Sequence, residues 1–168
     1  MKLYFSGFSL KNEKELFSLY LEESDFIVSG FSYGAIPALE YTLLTEKRVD
    51  KLQLFSPAFF NDKDTKYKRM QLIYFKKDSQ KYCENFLQNA NLTNEMVSQY
   101  FQMGSYEELE ELLNYEWTKE KLTKIQEKNI KIEVFLGEND KIIDAKKALE
   151  FFREFGEVYY IKEKGHIL

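Results

Sequence analysis

The run Gly30-Phe31-Ser32-Tyr33-Gly34 is the stretch of this sequence with the clearest chemical consequence. It has the pattern G-x-S-x-G, set between a strand-like run, Phe26-Ile27-Val28-Ser29, and a helix-like one, AIPALEYTLL at 35–44. A strand that turns abruptly into a helix forces its pivot into strained dihedrals. Side chains flanking the pivot would meet neighbouring backbone, so glycine is needed there. Such a turn holds the Ser32 hydroxyl clear of the sheet. The next N–H, that of Tyr33, points from a helix start toward any oxyanion formed beside it. For this composition, chance supplies the pattern only about 0.02 times. A tight turn without chemistry is the plainer alternative.

A serine hydroxyl is a weak nucleophile until a base takes its proton. The sequence holds one histidine, His166, in Lys164-Gly165-His166-Ile167, just beyond the last strand-like run. In a parallel sheet that position shares an edge with Ser32, which is where a general base must sit. The imidazole in turn needs a carboxylate to fix its tautomer and stabilise the imidazolium. Asp140, in Gly137-Glu138-Asn139-Asp140 at the end of another strand-like run, is the choice, with Glu138 and Asp144 as alternatives. A second oxyanion donor is expected from the loop Ser6-Gly7-Phe8-Ser9, where the N–H of Phe8 is best placed.

The elements that must position these residues are short. Residues 2–6, 25–29, 50–55, 131–136 and 157–161 are rich in β-branched and aromatic side chains and read as strands, mostly buried on both sides. Helical patterns cover 12–23, 33–45, 118–128 and 145–153, the first with Asn12 and Glu15 as a capping pair. Alternating strand and helix imply a parallel sheet with right-handed crossovers. Residues 57–116 break the alternation with helical stretches near 66–77, 79–89, 93–103 and 105–115. The expected architecture is therefore α/β, one domain over 1–168. Its core is about 1–56 and 117–168, with a helical cap insertion at about 57–116 over the strands' C-terminal ends.

Composition bounds the rest. At 168 residues, 44% hydrophobic and 31% charged, the chain can bury a core without staples. One cysteine, Cys83, allows no internal disulfide and reads as a core filler, which fits a reducing, cytoplasmic setting. No apolar run nears the ~20 residues needed to cross a bilayer, and the start of the chain lacks the apolar region of a signal peptide. No membrane or nucleic-acid partner is expected at a net charge of −4. The charge is segregated, however. Residues 61–81 carry seven basic side chains against three acidic ones, and 106–116 carry five glutamates and no basic residue. These are solvated helix faces or a partner surface. No phosphate loop, dinucleotide fingerprint or metal cluster is present, and no cofactor is inferred.

The order Ser32, Asp140, His166 is that of the α/β-hydrolases. The sequence resembles that family, and within it the BioV-type pimeloyl-[acyl-carrier protein] methyl ester esterases. The resemblance lies in FSGF at 5–8, SGFSYGA at 29–35, LFSP at 54–57, GSYEELEELL at 104–113, IEVFLGENDKII at 132–143 and GHIL at 165–168. It implies a minimal α/β-hydrolase with about five strands, acting as a serine carboxylesterase. Ser32, Asp140 and His166 would be catalytic, and Phe8 and Tyr33 the oxyanion donors. The implied substrate is the methyl ester of pimeloyl-acyl-carrier protein, cleaved to methanol and the free acid. An acidic carrier protein would meet Lys66, Lys68, Arg69, Lys76, Lys77 and Lys81. An acyl-carrier thioesterase, a short-chain esterase and a non-catalytic binding protein of the same fold are the alternatives.

The sequence departs from the family's usual pattern in having five strands rather than about eight, and no helical pattern after His166. One sheet face is thinly supplied as a result. Helix 12–23 or a second subunit, in a homodimer, is expected to cover it.

Overall fold

The computed structural model describes residues 3–168. Five strands form one wholly parallel sheet in the order β1 (Leu3–Phe5), β2 (Ile27–Phe31), β3 (Lys51–Phe55), β4 (Lys131–Gly137) and β5 (Glu157–Ile161). Every predicted strand region forms a strand; Lys2, in the first, lies outside the described residues. Helix α1 (Ala35–Leu44) follows β2. Between β3 and β4 come α2 (Thr65–Lys77), α3 (Ser79–Asn89), α4 (Asn94–Tyr100), α5 (Tyr106–Asn114) and α6 (Lys119–Glu127), and α7 (Ala145–Phe152) precedes β5. Oxygen-bearing side chains start most of them. Asp64, Asp78, Thr93, Thr118 and Asp144 each accept an N–H at the N-terminus of α2, α3, α4, α6 and α7, and Ser105 with Glu108 forms a full capping box on α5.

The strands' period-2 pattern divides the core in two. On one face Val28, Leu52, Leu54, Ile132 and Val134 pack with Ile36 and Leu39 of α1, Leu122 and Ile125 of α6, and Phe152 of α7. On the other, Phe31, Phe55, Phe135 and Tyr159 lie in register as an aromatic row, in which Phe55, Phe135 and Tyr159 stack in turn and Phe17 bridges Phe31 and Phe55. The next row down is polar. Gln53 Nε2 donates to Glu133 Oε2 at 2.9 Å, and Lys51 Nζ pairs with Glu133 Oε1 at 2.6 Å. Ser29, Gln53 and Glu133 of this row are buried all the same, so β2, β3 and β4 are covered on both faces as expected, while β1 and β5 at the edges are partly exposed.

The segment between β1 and β2 differs from its sequence pattern. A helix over 12–23 was expected; a short 3₁₀ helix, Glu13–Phe17, forms instead. Asn12 is left-handed at φ 58 and makes no capping bond, and Glu15 accepts from Tyr100 and Gln99 rather than from its own helix. Tertiary contacts override the helical periodicity here. Phe17, fully buried, inserts against Phe31 and Phe55 with ring centroids 4.8 Å away in each case, and Gln53 claims the Tyr20 carbonyl. Because the strands run in sequential order, this connection on the second face has the opposite hand to the three helical connections on the first. That corrects the expectation of uniformly right-handed crossovers.

Where the chain enters and leaves the β3–β4 insertion, Trp117 ties the two passages together. Its Nε1–H donates to Ala58 O at 2.9 Å, and its backbone exchanges two hydrogen bonds with the Asn61 amide. The insertion lies over the C-terminal edge of the sheet. Phe86 of α3 packs on Phe8 and His166, and Ala90 accepts from Ile167 N–H.

Candidate active site

β2 ends at Phe31, and Ser32 is the pivot, with φ 51. The 3₁₀ turn Ser32–Gly34 leads straight into α1. A Cβ on Gly34 would collide with the carbonyls of Phe5 and Ser6, and one on Gly30 with the Gly34 carbonyl. The two glycines therefore let β1, β2 and α1 close around the serine.

The structure brings Ser32, His166 and Asp140 into one hydrogen-bonded line. Ser32 Oγ is 2.8 Å from His166 Nε2, and His166 Nδ1 is 2.6 Å from Asp140 Oδ2. An ionised carboxylate only accepts, so Nδ1 carries the proton and the neutral ring presents Nε2 as acceptor to the Ser32 hydroxyl. Asp140 Oδ1 accepts the N–H groups of Ile142 (2.7 Å) and Ile143 (3.0 Å), which fixes the carboxylate in turn. Ser32 and His166 are buried, and the His166 and Asp140 side chains have no exposed surface. Phe31 and Phe86 flank the imidazole. In such surroundings charge–charge and hydrogen-bond interactions are stronger than in water.

The two other candidate carboxylates are engaged elsewhere. Glu138 accepts from Glu163 N–H at 3.4 Å, and Asp144 caps α7 through Lys147 N–H. Phe8 lies in the turn after β1, closed by Leu10 N–H on Gly7 O, and its own N–H has no partner among the described residues. Tyr33 N–H lies at the start of the 3₁₀ turn that runs into α1. One residue that sequence reasoning missed supports this loop. Glu13 is fully buried, and its Oε1 accepts both Gly7 N–H (2.8 Å) and the Tyr4 hydroxyl (2.9 Å). Nothing in the local pattern marks it, since it sits where an exposed first helical turn was expected.

A cavity of about 330 Å³ opens between the insertion and the loop after β4, with Phe86, which packs on His166, and Ile142, whose N–H Asp140 accepts, in its wall. Phe60, Tyr67, Tyr82, Phe86, Leu112 and Ile142 supply its apolar lining, with Lys141 at its edge. Cys83 is buried, and burial raises its thiol pKa, which fits a packing role. Among the described residues no group of three or more His, Cys, Asp or Glu side chains gathers to hold a metal. No helix among them is long and apolar enough to cross a membrane. The basic residues Lys66, Arg69, Lys76, Lys77 and Lys81 are exposed and Lys68 is half-buried. Lys76 Nζ lies 4.5 Å from the Tyr106 ring centroid.

No protein-family model matches the chain, and no curated protein matches it in sequence. Solved structures do. An esterase from Exiguobacterium antarcticum aligns with TM-score 0.63 at 21% identity, over 82% of this chain and 58% of that one. This chain thus spans well under two thirds of that esterase. BioG from Haemophilus influenzae aligns with TM-score 0.62 at 15% identity, over 99% of this chain and 88% of its own. E-2-(acetamidomethylene)succinate hydrolase aligns with TM-score 0.65 at 12% identity, over 99% and 84%. These likenesses establish the fold: a minimal α/β-hydrolase built on five parallel strands.

Proposed function

We propose that the chain is a serine carboxylesterase and that its substrate is the methyl ester of a pimeloyl chain borne by an acyl-carrier protein. The observation carrying the esterase reading is the buried line Ser32–His166–Asp140. His166 takes the Ser32 proton as Oγ attacks the ester carbonyl, and Asp140 holds the resulting imidazolium. The N–H groups of Phe8 and Tyr33 stabilise the tetrahedral oxyanion. Methanol leaves with the proton from His166, and water then hydrolyses the acyl-enzyme by the same steps.

Two features support a carrier-borne acyl chain. The cavity beside the triad has room for an aliphatic arm against Phe60, Phe86, Leu112 and Ile142, with Gln71, Asn85 and Asn89 as polar groups along its wall. Helix α2, which lines it through Tyr67, Gln71 and Tyr74, also carries Lys66, Lys68, Arg69, Lys76 and Lys77. An acidic carrier docked on this helix would present its arm at the cavity mouth. An acyl-carrier thioesterase or a short-chain esterase would use the same triad, and the likeness to the Exiguobacterium esterase favours that second reading.

Free-acid release from carrier-linked and carrier-free methyl esters of several chain lengths tests the proposal. Ser32→Ala should abolish turnover on all of them while the protein stays folded; near-normal activity would reject the triad. Lys66 and Lys77 lie eleven residues, about three turns, apart on one flank of α2. Reversing both to Glu should weaken only the carrier-linked reaction. Equal loss on both substrate types would remove the docking idea.

A further inference from the structure

Ser56 stands at the end of β3, in Leu54-Phe55-Ser56-Pro57, and has none of the roles described so far. It is wholly buried, and its backbone is left-handed at φ 40. A non-glycine residue in that region is strained and persists only where its surroundings hold it. Here they do. Ser56 Oγ donates to the His166 carbonyl at 2.7 Å, and Ser56 N–H donates to Phe135 O at 2.8 Å. Two residues on, Ala58 N–H donates to the Ser32 carbonyl at 3.1 Å. One short stretch of chain therefore grips the main chain of both nucleophile and base.

The segment bearing the base needs such a grip, because residues 162–168 contain no helix or strand. Asn139 N–H on Lys164 O (2.8 Å) and Ile167 N–H on Ala90 O (3.1 Å) hold its neighbours. Asp140 orients the ring through Nδ1 but does not fix where the His166 main chain lies. The peptide that joins residues 166 and 167 is held from both sides, its carbonyl by Ser56 Oγ and its N–H by Ala90 O. The strain at Ser56 is then explained: the left-handed turn is what aims its hydroxyl at residue 166.

We propose that Ser56 is a positioning residue that sets the separation of Ser32 and His166. The inference rests on the serine-hydrolase reading and adds a residue whose hydroxyl acts only through the histidine. Ser56→Ala and Ser56→Gly, made in the full chain, test it. Both lack the hydroxyl; glycine also adopts φ 40 without strain, so its fold should survive. Rates of Ser32 labelling by a fluorophosphonate, and kcat on p-nitrophenyl acetate, should fall about 10- to 100-fold in both variants. KM should be little changed. The chain has one histidine, so its imidazole proton resonances are unique, and both substitutions should shift them. Wild-type labelling rates in both variants, or losses matching only the unfolded fraction, would overturn the proposal. If the wild-type chain itself resisted labelling, the enzyme reading would fall. The imidazole resonances would still decide: unshifted, they would show that Ser56 does not hold His166.

Discussion

The Tyr33 hydroxyl donates to Glu111 Oε2 at 2.6 Å, joining the residue after the nucleophile to helix α5 of the insertion across 78 positions of sequence. Burial, and then this bond, raises the phenol's pKa above its ordinary value, so it remains a donor at neutral pH. The residue whose backbone N–H is proposed as an oxyanion donor is thus also tied to the insertion through its side chain.

Tyr33→Phe separates the two. The N–H is kept, so kcat on a small ester should change little. The partly exposed tie is lost, at about 0.5–1 kcal/mol. Hydrogen exchange should show faster opening of α5 amides with the sheet amides unaffected. Unchanged exchange in α5 would mean that the tie does not hold the insertion.

Asp140 offers a second separation. Asp140→Asn preserves the side chain's size but removes the charge that selects the Nδ1–H tautomer. Turnover should fall on the order of 10⁴-fold, as for the corresponding change in serine proteases. An Asn Oδ1 can still accept Ile142 and Ile143 N–H, so the melting temperature should fall far less than a lost core contact would imply. Activity within about tenfold of wild type would show that another carboxylate serves the imidazole.

The strands and the serine turn were legible because each rests on local pattern: runs of β-branched and aromatic residues, and glycines on either side of Ser32. Asp140 and His166 were legible only through topology, which puts the ends of parallel strands on one edge. The segment from Asn12 to Glu23 misled because its Leu16, Phe17, Tyr20 and Leu21 spacing is helical, while Phe17 is fixed by the aromatic row and Tyr20 O by Gln53. Those partners lie on other strands, beyond any local window. Ser56 and Glu13 were missed for the same reason, since each acts on main-chain groups that the fold brings near.

Glu13 gives the third expectation. Glu13→Ala strands two buried donors, Gly7 N–H and the Tyr4 hydroxyl, at a cost of about 1–3 kcal/mol. It also releases the turn that carries Phe8. Glu13→Gln keeps an acceptor oxygen in place. The alanine variant should lose both stability and kcat, and the glutamine variant should regain most of each. If both lose kcat equally, the charge itself is needed, and the acceptor role alone is insufficient.

The fourth concerns alkaline pH. Tyr4, Tyr82 and Tyr115 all have pKa values raised above the ordinary 10.0, with burial the largest cause; Glu13 adds to it for Tyr4 and Glu40 for Tyr115. Below pH 10 these phenols are protonated in both folded and unfolded chains, and their contribution to stability is fully present. Above it the unfolded chain sheds protons that the folded chain retains, so the balance shifts toward unfolding until the folded pKa values are passed. Urea midpoints should therefore fall as pH rises above about 10. Lysines titrate in the same range, so the tyrosine share must be isolated. Tyr82→Phe removes a group whose partner is the neutral Gln71, leaving the acidic networks intact. Its midpoint should decline less steeply with pH than that of the wild-type chain, and parallel curves would assign the loss to the lysines instead.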